Sequence, residues 1–194
     1  MPTDNPDPSD SELALLERWR TGDSRAGDAL AARYDTKLSR FFRHKVPDQE
    51  ADDLKQQTWL ELLKGSSHIT CFAAYFFTIA RRVLLHHVAR TARGGAFDPL
   101  TTSLAAADPS LSGELARHQR TRNLLQALRH LPFDTQLLLE LRYFEEMSVA
   151  EMALIFDVPQ GTIKSRLSTA RLKLEAMLAE PPAQPVPDAA QRQL

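Results

Sequence analysis

Between Gln160 and Leu174 the chain carries four cations, Lys164, Arg166, Arg171 and Lys173, and no anion. A second acid-free stretch, 81–93, carries Arg81, Arg82, Arg90 and Arg93. Two local positive excesses suit a polyanionic partner even though the formal net charge of the 194-residue chain is only -1. For either stretch alone a solvated helix face explains the pattern as well. Bond-making chemistry finds no comparable constellation. Cys71 is the single cysteine, with no disulfide partner and no Cys/His companion. His86 and His87 are adjacent, so on a helix they point in different directions, and Cys71 lies about four turns away, which makes a poor zinc set. The acid pairs Asp52-Asp53 and Glu145-Glu146 read as contact or solvated-face residues, and Trp19 and Trp59 as packing or interface residues. The expectation is a binding protein that is not an enzyme and needs no cofactor or metal.

Those side chains need elements to position them, and nearly every element reads as a helix. Leu30, Tyr34, Leu38, Phe41 and Phe42 recur at helical spacing, as do Ala51, Leu54, Thr58 and Leu62, then Phe72, Phe76, Ile79 and Val83. A shorter helix is expected around Leu13 and Leu16, and Pro47 and Gly65 bound the third. From Gly94 to Gly113 three glycines, Pro99, Pro109 and many small residues read as a flexible linker. Helical pattern resumes from Leu115 to Leu131 and again near Pro132, while EPPAQPVPDAAQRQL at the end reads as a disordered tail. The fold expected is all-α, two small helical domains on a tether, with bounds 10–93, 94–113, 114–179 and a tail over 180–194. The acidic N-terminus is no secretory signal and no apolar run reaches membrane-spanning length, so a cytoplasmic protein without membrane insertion is the default.

Ser148 to Leu174 links the chemistry to the elements. Ser148 and Glu151 form a capping-box pattern, and Val149, Met152, Ala153 and Phe156 give the buried stripe of a helix about two turns long. Asp157 suits the left-handed conformation at the break, and Pro159 suits the start of the next helix. There Ile163, Leu167, Ala170 and Leu174 face inward, leaving Gln160, Gly161, Lys164 and Ser165 at the end where a recognition helix meets bases and phosphates. A helix-turn-helix follows, although a packed helical hairpin has the same stripe.

Three segments carry a family resemblance. DDLKQQTWLELL (52–63), CFAAYFFTIARRVLLHHVAR (71–90) and VPQGTIKSRLSTARLKL (158–174) resemble, in order, the polymerase-facing helix, the following helix and the recognition helix of bacterial sigma factors. With the size and linker, the chain resembles an extracytoplasmic function (group IV) sigma factor from about Leu13 to Leu178. The resemblance implies a specificity subunit that binds core RNA polymerase, helps to melt the downstream (-10) promoter element through its first domain and reads the upstream (-35) element through its second. It places Asp53, Gln56, Gln57 and Leu60 on the polymerase. It places His68, Arg81, Arg82, His86 and Arg90 on the opened strand, and Gln160, Gly161, Lys164, Ser165, Arg166 and Arg171 on the upstream duplex. An anti-sigma factor is a further implied partner. Departures from the family pattern include Gln57, where an acid is usual, and Arg82, where Asn is common. A stand-alone helix-turn-helix regulator and a nucleic-acid enzyme are the rival readings; the first leaves the N-terminal half unexplained and the second lacks a nucleophile with its base.

Overall fold

The computed structural model describes residues 11–43, 45–65, 69–91 and 119–179. All eight elements among them are α-helices, in the order α1 (Glu12–Arg20), α2 (Ser24–Phe42), α3 (Asp48–Lys64), α4 (Phe72–Thr91), α5 (Gln119–His130), α6 (Phe133–Tyr143), α7 (Val149–Phe156) and α8 (Gln160–Ala179). The expected linker and C-terminal tail lie outside the described residues.

Local chemistry sets the helix ends. The Ser11 hydroxyl caps α1 by accepting from the Ala14 N–H at 3.2 Å, and the Asp23 carboxylate caps α2 by accepting from Arg25 and Ala26. Gly22 makes the turn between them at φ +105°, a conformation that side chains disfavour. Gly65 closes α3 for a different reason: a Cβ there would stand 1.8 Å from the Tyr75 hydroxyl.

The α2 and α4 stripes are buried as their spacing requires, and an aromatic chain joins the four N-terminal helices. Trp19 meets Trp59 edge-on at 5.8 Å, Trp59 meets Phe76 at 4.8 Å, and Tyr34 meets Phe72 at 4.9 Å and Phe76 at 5.1 Å. Both tryptophans therefore pack. A smaller cluster, Leu128, Leu131, Leu139 and Ala170 with Leu124, Leu167, Leu174 and Met177 against it, holds α5, α6 and α8 together.

The two expected helical groups are present, and they pack on one another. The main core runs without a break from Leu15 through Leu84 into Phe133, Leu137, Leu138, Leu141, Met147, Met152, Ile155, Phe156 and Ile163. The short helix α7 lies against α4. A two-turn amphipathic helix cannot bury its apolar face within a three-helix unit already occupied with α8, so the remainder of that face is covered by the N-terminal group. Glu145 is drawn into this seam: its side chain is 6% exposed and lies 3.6 Å from the Arg40 guanidinium, so of the two expected roles it takes that of a contact residue, within the chain.

Candidate nucleic-acid interface

The turn between α7 and α8 has the local geometry that the sequence encodes. The Glu151 N–H donates to the Ser148 hydroxyl at 3.2 Å while the Ser148 N–H donates to the Glu151 carboxylate at 2.8 Å, closing the capping box. Asp157 takes the left-handed conformation (φ 51°, ψ 52°), and its N–H and that of Val158 both return to the Ala153 carbonyl. The Pro159 carbonyl then accepts from Thr162 and Ile163 as α8 begins.

This turn sets the first residues of α8 clear of the fold. Ile163 and Ala170 are buried, while Gln160, Gly161, Lys164, Ser165 and Arg171 are exposed and Arg166 is half-buried. A Cβ on Gly161 would meet nothing within 4 Å, so packing within the chain does not require glycine there. Ser165 donates its hydroxyl to the Thr162 carbonyl at 3.0 Å, and Arg171 lies 4.0 Å from Glu175. The acid-free N-terminal turn, with the backbone N–H groups at its start and the positive end of the helix dipole, presents an anion-attracting surface.

A second surface lies on α4. Arg82, His86 and Arg90 follow at four-residue spacing and all are exposed, with Arg82 held 3.3 Å from Glu61. His87, one residue on from His86, turns inward and pairs with Glu50 at 2.7 Å. Arg81 departs from the expected exposed face. Its Nε and Nη2 donate to the Asp134 carboxylate at 3.1, 2.8 and 2.9 Å, its guanidinium covers the Phe156 ring 5.2 Å from the centroid, and its side chain is 20% exposed. The physical reason is the seam: α4 turns that arginine toward α6 and α7, and a buried guanidinium requires a carboxylate. His68 lies outside the described residues.

On α3, Asp53, Gln56, Gln57 and Leu60 fall on one solvent-facing side opposite Ala51, Leu54, Thr58 and Leu62. Leu60 is 55% exposed, one of several large apolar side chains open to solvent among the described residues.

Sequence reasoning missed the residues of the seam itself. Lys45 is fully buried, its ammonium bound to Glu140 and lying 5.0 Å from the Phe41 ring centroid; Gln136 donates to the other Glu140 oxygen at 2.9 Å. Cys71, half-buried, donates its thiol to Glu151 at 3.6 Å, and burial together with that carboxylate pushes the thiol pKa up. The signal available in the sequence was faint: in the run FFRHKV (41–46) nothing local distinguishes Lys45 from Arg43.

Comparison with known proteins now decides the family. Residues 30–94 match the family model "Sigma-70 region 2" and residues 121–174 match "Sigma-70, region 4". The chain belongs to the extracytoplasmic function (group IV) sigma factors. It is 26% identical over 182 residues to the RNA polymerase sigma-H factor of Pseudomonas aeruginosa, covering 87% of this chain and 94% of that one. With the ECF RNA polymerase sigma-E factor of Escherichia coli (strain K12) it shares 25% identity over 175 residues, covering 83% and 91%. In fold it resembles CnrH, solved in complex with the cytosolic domain of CnrY, at a TM-score of 0.65 and 22% identity, over 88% of this chain and 98% of that one. As a sigma factor the chain is not an enzyme; its work is RNA polymerase binding and promoter recognition. Among the described residues no helix is long and apolar enough to cross a membrane.

Proposed function

We propose that this sigma factor uses three separate faces in initiation. The exposed side of α3, through Asp53, Gln56, Gln57 and Leu60, docks on core polymerase. The N-terminal turn of α8, through Gln160, Gly161, Lys164, Ser165 and Arg166, reads the upstream element, with Arg171 on a phosphate. The α4 side bearing Arg82, His86 and Arg90, joined by Arg81 and His68, holds the strand exposed when the downstream element melts.

The observation that carries this reading is the acid-free, exposed first turn of α8, set out from the fold by a helix-turn-helix whose capping box is closed. Lysine and glutamine there can bond base edges, and backbone N–H groups can bond phosphate. On α4 the exposed cations would hold phosphates while bases are unstacked, the step that makes melting favourable. Domain bounds of 10–93 and 114–179 with a linker between them fit this division of labour. A cytoplasmic location and an anti-sigma partner belong to the same reading. The pairing of CnrH with the cytosolic domain of CnrY is a parallel for such a partner.

Run-off transcription with purified core polymerase, followed by mapping of start sites across the source genome, tests it. The expected result is a set of starts sharing two spaced elements, seen only when this chain is added. A mobility shift by the free protein as tight and specific as that of the holoenzyme would instead make it a stand-alone regulator.

A further inference from the structure

Arg81 is held by two helices of the other unit at once, Asp134 on α6 and the Phe156 ring on α7. Two more charged contacts cross the same seam: Lys45 to Glu140, and Arg40 to Glu145 and to the Phe144 carbonyl at 3.3 Å. We propose that Arg81–Asp134 is an intrachain latch that keeps the region 4 unit docked on the region 2 unit and withholds Arg81 from DNA until polymerase draws the units apart. The inference rests on the reading of α4 as the strand-holding helix, and concerns how that helix is kept inactive.

The latch acts on the two DNA-facing surfaces unequally. In the closed chain the first turn of α8 is open to solvent, while Arg81 is enclosed. Closure therefore leaves upstream duplex contacts available and removes a cation from the strand-contacting face. The seam combines the apolar core that α4 and α7 share with three charged pairs, and arginine, lysine and carboxylates regain water when the units part, which offsets part of the cost of exposing the apolar surface. A bidentate arginine–carboxylate pair also fixes one docking geometry among the many an apolar surface would tolerate. Because only the open form binds core polymerase productively, the closed fraction lowers the apparent affinity in proportion.

The test compares the full-length chain with Asp134→Ala, a substitution outside all three proposed contact faces. Radius of gyration by small-angle scattering reads opening, a single-stranded downstream-element oligonucleotide reads strand binding, an upstream duplex serves as control, and core polymerase affinity is titrated. Expected are a larger radius, strand binding and core affinity each raised about tenfold, and unchanged duplex binding. Arg81→Ala should open the chain equally and gain core affinity but no strand affinity. If Asp134→Ala loses its helical signal, Asp134→Asn, which keeps an acceptor without the charge, is read in the same way. An unchanged radius and unchanged strand and core affinities in the folded variant would overturn the latch. Failure of the wild-type holoenzyme to initiate at any promoter would overturn the polymerase reading instead, so the two failures are distinct.

Discussion

At Gly161 the fold has no use for a glycine, since an added methyl group would touch nothing within 4 Å and the residue lies in a regular helix. Under the proposed reading, glycine there leaves room outside for a DNA backbone approaching the first turn of α8. Gly161→Ala should therefore raise unfolding stability by at most about 0.5 kcal/mol, since the full gain of alanine over glycine belongs to a helix interior and Gly161 lies in the first turn, and weaken binding to the upstream element. Calorimetry and holoenzyme binding to promoter DNA check the two halves of that expectation; a variant both more stable and equally active would remove Gly161 from the interface. Lys164 and Arg171 make a second contrast on the same helix. Loss of a base contact at Lys164 should change preference within the upstream element by about 1–3 kcal/mol. Loss of Arg171, farther along, should weaken all sequences alike and lower the salt slope by about one unit. A randomised promoter library transcribed by each mutant holoenzyme separates them.

The element most fully legible in the sequence is α7 with its two ends, because its determinants are local: Ser148 and Glu151 cap it, Asp157 ends it and Pro159 precedes the next helix. The capping carboxylate also gives a pH dependence. Burial works to push the Glu151 carboxyl up, but bonding with Ser148 and the Cys71 thiol, and the charge of Lys37, outweigh it and hold the pKa below the ordinary carboxyl value. A depressed acid stabilises the fold above its unfolded pKa and loses that contribution as pH falls through the lower folded value. Acidification below about pH 4 should therefore loosen α7. Glu151→Gln, whose amide can still accept from Ser148, should keep the cap and flatten that part of a melting-versus-pH curve. On α3 the legible feature is a face: Asp53, Gln56, Gln57 and Leu60 emerge on one side because the buried residues occupy the other. Lysine at both 53 and 56 should leave helicity intact and reduce core polymerase affinity about tenfold or more, measured by co-purification and titration.

At the scale of the whole molecule the sequence becomes opaque, since the fate of Arg81, Lys45 and Glu145 depends on partners 53, 95 and 105 positions distant and not on their neighbours. Periodicity marks Arg81 as the flank of a helix; only the docking of α6 and α7 makes that flank an interior. Lys45 is the extreme case, a fully buried ammonium held by Glu140, and it allows the seam to be probed without touching any residue proposed to meet DNA or polymerase. Glu140→Gln alone leaves that ammonium without its counter-charge and should destabilise the closed chain by about 3 kcal/mol. Adding Lys45→Met removes the orphaned charge, while glutamine at 140 still accepts from Gln136, so the double variant should recover wild-type stability or exceed it. The gain has a functional consequence of opposite sign. Without the two charges that regain water on opening, the seam parts less readily, and a protein at least as stable as wild type should bind core polymerase more weakly. Denaturant unfolding and polymerase titration on the same three proteins give both numbers. Unchanged polymerase affinity in a stabilised double variant would mean that the two units stay docked on the enzyme along this seam.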